Sequence, residues 1–459
     1  TPFDLAHGHL FRVGLLRLAE EHHWLILVLH HSIMDGTALD ILLTELAALY
    51  RADLTGEAGP LPPPALQYAD VAVWSRENLR EARLPGQLAF WTDTLGGAPS
   101  LLELPTDHPR PALLRPDGAV LPFRLPAALI PRLRAFARQH NLTLYMVLLG
   151  AYAVLLHRYS GARDLVIGTP VEGRRHRETE NLVGFMANTL ALRLDLDGEP
   201  DVETLLKRVR RTTLAAHAHQ DLPFERLVDA LELPRSLAHQ PLFQVLFAFQ
   251  SALIEAPSLP DLALRVLDLD HGIARFDLTL ELEERGGELL GELQYRRELF
   301  EAATMERLLG HYLQLLAAMV ERPGQSIAAL PLLLPTEIAQ LRAWNHHAQP
   351  VQAGATVLDG FEREARRDPA AIAVVDGQTR LGYGDLAHRA NRLAHRLIRA
   401  GVRPGALVGL CLHRGAAMIV AILGVLKAGA AYLPLDPDYP TERLRLTLED
   451  ADPTLLLTS

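Results

Sequence analysis

The segment HHSIMDG, His30 to Gly36, sets two adjacent histidines three residues ahead of an Asp-Gly pair. Imidazole titrates close to neutrality, so a histidine facing a cavity can take a proton from an attacking amine or alcohol. Residue types alone leave three readings open: a catalytic histidine, a metal site, or two packed residues at a strand end. The metal reading is the weakest. Neighbouring strand residues point to opposite faces, and no Cys/His/Glu cluster supplies further ligands. The catalytic reading needs a supported loop. Asp35 can brace it through a salt bridge, and Gly36 lets a backbone or a substrate arm approach closely.

The flanking elements hold this loop. Trp24–His30 is a continuous apolar run of strand length and reads as a strand buried on both faces. Thr37 opens a helix, with Asp40 three residues on as in a capping box. Leu39, Leu42, Leu43, Leu46 and Tyr50 share one helical stripe. The first N–H groups of that helix point back at the loop, a favourable place for developing negative charge.

Further along, the Pro/Gly-rich tract LTGEAGPLPPP precedes a helical segment, ALQYADVAVWSRENL, and LPTDHPRPALLRPDG reads as a crossover. Ile130–Tyr159 reads as two helices, the second capped by Thr143. DLVIGTPV reads as a strand ending in a Gly/Pro turn, GFMANTLALRLDL as a strand whose latter half alternates apolar and polar residues, and Val202–His219 as an amphipathic helix. Strands and helices alternate to about Glu321, an α/β pattern. A Pro/Gly/Ala-rich connector follows, and from Val357 a new α/β unit begins: strand AIAVVDG, helix Tyr383–Ala400, strand ALVGLCL, helix Met418–Ala428.

Composition narrows the function classes. With 49% hydrophobic and 22% charged residues the chain reads as globular, and its 459 residues allow roughly three compact units. A net charge of -10 without a basic stripe argues against a nucleic-acid partner. The single cysteine, Cys411, fits a reducing cytoplasm. The apolar runs Leu144–Leu156 and Ala416–Leu426 are shorter than the roughly 20 residues that cross a bilayer, so no membrane partner is expected.

HHSIMDG matches the HHxxxDG signature of the condensation domains of nonribosomal peptide synthetases, of the chloramphenicol-acetyltransferase-like superfamily. In the same order, QYADVAVW (Gln67–Trp74) resembles YxDFAVW, and VGFMANTLALR (Val183–Arg193) resembles GxFVNTLxxR. HQDLPFE (His219–Glu225) is a close match, and RSLAHQPLFQVLFAFQ (Arg235–Gln250) resembles RDxSRNPLFQV. The resemblance covers residues 1 to about 335. TRLGYGDLAHRANRLAHRL (Thr379–Leu397) and LKAGAAYLPLDPDYP (Leu426–Pro440) resemble the first two core motifs of amino-acid adenylation domains.

The resemblance implies a two-lobed α/β fold: residues 1–104 in the first lobe, which is expected to be incomplete, 105–322 in the second, 323–356 as linker, and 357–459 as the N-terminal part of an adenylation domain. It implies that His31 lies in a tunnel between the lobes, where upstream and downstream carrier proteins insert phosphopantetheine arms and the acceptor's amine attacks the donor's thioester. His30 is then a packing residue, Asp35 a strut paired with Arg193, Gly36 an opening on the acceptor side, and Asn188 a support near the tunnel. The L-to-L subtype is implied by VGFMANTLALR and HQDLPFERLV, while Met186-Ala187 and Thr37 depart from the pattern. Epimerisation, ester formation and a non-catalytic docking platform are the alternatives. No cofactor is expected on the chain itself. ATP and Mg belong to a complete adenylation domain, and residues 357–459 are assigned no adenylation activity. The short stretch ahead of His31 leads to the expectation of exposed sheet edges and of weak activity for this piece alone.

Overall fold

The computed structural model describes residues 2–56, 61–78, 84–233, 236–250, 259–267, 269, 272–345 and 356–458. They form two compact units, divided between Leu341 and Arg342.

The first unit opens with a two-stranded antiparallel ribbon, β1 (Phe11–Ala19) and β2 (His22–Leu29). The expected strand is present, but the expectation of burial on both faces is wrong. Leu15, Leu16, Trp24, Leu25, Ile26 and Val28 are all exposed. An apolar run records what a strand can bury, and in this ribbon no second layer covers either face.

Helix α1 (Gly36–Thr55) follows the histidine loop. Its cap is Asp35, whose side chain accepts from Ala38 N, so the capping role expected of Thr37 and Asp40 falls two residues too late. The small residues Ala38, Ala47 and Ala52 are its buried positions. Leu46 and Tyr50, on the expected apolar stripe, are exposed. Helices α2 (Tyr68–Asn78) and α3 (Leu84–Leu95) come next, then an irregular stretch without helix or strand to Asp117, as expected of the crossover.

The rest of the unit is built on a six-stranded mixed sheet in the order β3-β8-β7-β6-β4-β5. Its strands are β3 (Gly118–Arg124), β4 (Asp164–Val171), β5 (Asn188–Asp195), β6 (Val245–Gln250), β7 (Leu278–Arg285) and β8 (Glu288–Arg296). β4, β6 and β7 run parallel and the other pairings are antiparallel. The pattern is therefore not strict alternation, since β4-β5 and β7-β8 are sequential strands that pair directly. Helices α4 (Leu129–Gln139), α5 (Leu144–Ser160), α6 (Val202–Ala218), α7 (Phe224–Ala230) and α8 (Ala302–Glu321) complete the unit. Thr143 caps α5 by accepting from Met146 N at 3.2 Å. Every residue from Met146 to Leu156 is buried, which explains that apolar run as a core helix packed against α4, α6 and α8. Among the described residues no single helix is long and apolar enough to cross a membrane.

Residues 323–341, expected as linker, lie within this unit. Arg158 Nη1 donates to the carbonyls of Ile327, Ala328 and Leu330. His311 Nε2 meets Glu337 at 2.7 Å as α9 (Pro335–Trp344) begins. Linker residues 346–355 lie outside the described residues.

The second unit contains α10 (Val357–Arg367), the hairpin β9 (Ile372–Asp376) and β10 (Thr379–Gly382), and α11 (Tyr383–Arg399). A parallel three-stranded sheet, β12-β11-β13, combines β11 (Leu407–Cys411), β12 (Ala431–Leu435) and β13 (Leu455–Thr458) with α12 (Ala416–Lys427) and α13 (Thr441–Ala451). A Thr356/Asp359 capping box starts α10, a local signal that went unrecognised in the sequence.

Candidate active site

The loop between β2 and α1 is fixed from within. His30 N donates to Leu10 O at 2.9 Å, and a short 3₁₀ turn follows over His31–Ile33. Ser32 N and the Ser32 hydroxyl both converge on His30 Nδ1, at 3.2 and 2.8 Å, so that nitrogen is an acceptor and the ring is held in its own turn. Phe3 lies edge-on to it at 5.9 Å.

His31 is held the opposite way. Its Nδ1 is 2.7 Å from the Met34 carbonyl. A carbonyl only accepts, so Nδ1 carries a proton, and in the neutral ring Nε2 keeps the lone pair. Phe185 fixes the ring plane edge-on at 5.0 Å. The His31 side chain is exposed, and Nε2 has no hydrogen-bond partner among the described residues. The two histidines are thus inequivalent: one is consumed by its turn, and the other presents a free basic nitrogen.

Asp35 is the anchor. Its carboxylate accepts five hydrogen bonds: Arg174 Nη1 at 2.8 Å and Nη2 at 2.9 Å, Met186 N at 2.9 Å, Ala187 N at 3.2 Å and Ala38 N at 2.9 Å. The side chains of Asp35 and Arg174 are only 4% and 3% exposed. Burial by itself raises the Asp35 pKa, but the Arg174 hydrogen bonds and the Met186 and Ala38 amides outweigh it and leave the pKa lowered. A carboxylate this buried and this fully engaged does not shuttle protons. Its side chain also takes the Ala38 amide at the N-terminus of α1, so that amide is not free for developing charge.

The partner expected for Asp35, Arg193, is a correction. Arg193 binds Asp164 at 2.7 to 3.2 Å and donates to the carbonyls of Thr94 and Gly96, tying β5 to the end of α3. Strand register explains why. Arg193 sits opposite Val166, near the start of β4, whereas Asp35 docks just beyond the other end of β4. Five residues of strand separate Arg193 from Asn188, about 16 Å at 3.3 Å per residue. Arg174 went unrecognised, although EGRRHRE directly after the strand DLVIGTPV was a visible cluster of cations. Gly173, at φ +69°, makes the turn that delivers it.

Asn188 uses both ends of its amide. Nδ2 donates to Gln220 O and Leu222 O at 2.9 and 2.7 Å, while Oδ1 accepts from Thr189 N and Phe224 N at 2.9 and 3.1 Å. It clamps the HQDLPFE loop onto the start of β5. Tyr68 donates to Phe185 O at 2.7 Å, and Gly184 leaves room for its ring, since a Cβ there would lie 2.2 Å from Tyr68 Cδ2. Gly36 is the reverse case: a Cβ would meet nothing within 4 Å, so the space beside the first turn of α1 is open.

Four segments singled out in the sequence thus converge, HHSIMDG, QYADVAVW, VGFMANTLALR and HQDLPFE. The fifth serves the sheet. Gln244 binds Leu102 N and Ser100 O, at 2.7 and 3.0 Å, while its leading Arg235 lies outside the described residues. Among the described residues no group of three or more His, Cys, Asp or Glu could hold a metal ion.

Comparison with known proteins places this geometry. Residues 1–342 match the family model for the condensation domain, and residues 361–459 that for the AMP-binding enzyme. A linear gramicidin synthase of Brevibacillus parabrevis is 47% identical over the whole chain, and the chain spans 9% of its length. Among solved structures, a four-domain nonribosomal peptide synthetase in its holo form, bound to AMP and glycine, aligns over the whole chain and 36% of its own. Its TM-score is 0.77 and its identity 28%. The X-domain from teicoplanin biosynthesis aligns over 72% of this chain and 77% of its own, with a TM-score of 0.68 and 30% identity, and has also been solved in complex with OxyB.

Proposed function

The chain belongs to the condensation-domain family of nonribosomal peptide synthetases over residues 1–342, and from that premise we propose that it joins a donor acyl or peptidyl thioester to an acceptor aminoacyl thioester through an amide bond. The observation that carries this reading is the His31 imidazole, with Nδ1–H bound to the Met34 carbonyl and Nε2 free, on a loop locked by the buried Asp35–Arg174 pair. The acceptor amine attacks the donor carbonyl carbon and forms the C–N bond. Collapse of the tetrahedral adduct breaks the C–S bond. Nε2 either takes the amine's proton or holds the amine by a hydrogen bond, and the proton ends on the departing thiolate. The product remains on the acceptor carrier.

Upstream and downstream peptidyl carrier proteins deliver the two thioesters on phosphopantetheine arms. Residues 1–104 and 105–322 form the two lobes. The open space at Gly36 supports approach of the acceptor arm, Arg193 and Asn188 hold the surrounding frame, and the L-to-L subtype is retained from the two motifs that suggested it. A cytoplasmic setting goes with the free Cys411. No ATP-dependent step is derived for residues 361–459.

The test is His31→Ala in the intact parent synthetase. Product formation is expected to fall by about 10²- to 10⁴-fold, the usual worth of a general acid–base group. Undiminished product would sink the proposal and favour the docking-platform reading, to which the likeness to the X-domain is relevant.

A further inference from the structure

The direction of His31 Nε2 depends on two contacts to its ring. The hydrogen bond from Nδ1 to the Met34 carbonyl, at 2.7 Å, anchors one corner and leaves the ring free to swing about the Nδ1···O line. What stops that swing is Phe185, edge-on at 5.0 Å with the two ring planes at 78°. An edge-to-face contact is directional but weak, so it aims the imidazole only as well as Phe185 is itself held. Proton transfer needs the nitrogen within hydrogen-bond reach of the amine, which makes that aim matter.

Phe185 stands in a stretch, residues 182–187, that has neither helix nor strand. No strand ladder holds it, so its place is set by side chains reaching in from other elements. The amides of Met186 and Ala187, just after Phe185, go to the Asp35 carboxylate at 2.9 and 3.2 Å. The bond on Phe185 itself comes from Tyr68, whose hydroxyl donates to its carbonyl at 2.7 Å across 117 positions of sequence. Tyr68 is a firm base for it. The residue opens α2, and that end is fixed by Asp70, whose carboxylate accepts from Gln67 N at 2.8 Å while Asp70 N donates to Gln67 O at 3.0 Å. The Tyr68 ring lies against Gly184, where a Cβ would come within 2.2 Å of Cδ2. Packing needs only that ring. The hydroxyl adds a bond to the very residue that touches the imidazole.

We propose that Tyr68 is a positioning residue for amide formation, setting the direction of His31 Nε2 through Phe185. The proposal rests on the condensation reading above. The test is Tyr68→Phe in the intact parent synthetase, made with and without His31→Ala, with single-turnover amide formation followed across a range of acceptor-carrier concentrations. The phenylalanine keeps the ring on Gly184 and so spares folding. Tyr68→Phe alone should lower the maximal rate about fivefold, one neutral hydrogen bond's worth, with the KM for the acceptor carrier unchanged. In the His31→Ala background the same substitution should change the rate by less than about twofold, because no imidazole is left to aim. A merely structural tyrosine would cost the same factor in both backgrounds. A loss under about twofold in the parent, an equal loss in both backgrounds, or a change confined to KM would overturn the positioning role. Where His31→Ala itself slows the reaction, any of those three outcomes counts against Tyr68 alone. Undiminished product from His31→Ala overturns the condensation reading, and this role with it.

Discussion

Replacing Arg174 by Met tests the idea that the histidine loop is held by a buried ion pair. Both side chains are almost fully inaccessible, at 3% and 4% exposure, so removing the cation leaves a buried carboxylate facing an apolar stem. Breaking such a pair typically costs about 3–5 kcal/mol. Three backbone amides, of Ala38, Met186 and Ala187, still serve Asp35, which places the expectation near the lower end, about 3 kcal/mol at pH 7. The pH dependence has a definite sign. The Asp35 pKa is lowered in the fold, so its contribution is fully present above the unfolded carboxylate value of about 3.9 and is lost as pH falls through the folded value. Urea unfolding followed by tryptophan fluorescence, with Trp91 buried at 2% exposure as reporter, should show the full deficit from pH 8 to 5 and a shrinking one below about pH 4. Arg193→Met is the control. Its pair with Asp164 is 26% and 38% exposed, and an exposed pair is worth about 1 kcal/mol or less. A deficit under about 1 kcal/mol for Arg174→Met at pH 7, or one that grows in acid, would refute the strut.

Three further substitutions follow from the same geometry. Asn188→Ala removes three hydrogen bonds between β5 and the segment 220–224 and one to Thr189 N within β5, and is expected to cost about 2–4 kcal/mol by urea titration; a loss near zero would mean that water replaces the amide freely. Gly36→Ala and Gly184→Ala should diverge. The first meets open space and should leave stability unchanged or raised by up to about 1 kcal/mol while slowing amide formation in the parent. The second drives a methyl into the Tyr68 ring and should cost about 1–3 kcal/mol. Equal stability effects from the two would show that the packing argument is wrong.

Much of the second half of the first unit was legible because its elements bury one face and carry plain boundary signals. Thr143 before an apolar run fell where expected; DLVIGTPV is a strand as expected, but Gly168 and Pro170 stay within it and the turn comes at Gly173. The ribbon Phe11–Leu29 was misjudged because a sequence pattern states what a strand can bury, and not whether a layer exists to cover it. Around the site, His30 and His31 differ through two local contacts, Ser32 to one ring and Met34 O to the other, which the motif's spelling does not state. The Asp35–Arg174 pair spans 139 positions and depends on where β4 ends relative to β5. Register of that kind is a tertiary property, and choosing among several arginines required it.

The same pair has a kinematic consequence. Asp35 pins the start of α1 to the segment that carries Arg174, Met186 and Ala187, so a rocking of α1 pivoted there would leave the near end still and move the far end most. Helix α1 has 20 residues and so extends about 30 Å from the pivot. A tilt of roughly 5° would sweep its far end through about 2.6 Å on that lever arm. His31, only four positions from the pivot, would hardly move. His31 Nε2 sits near the still point of any such motion, and displacement grows with distance from it.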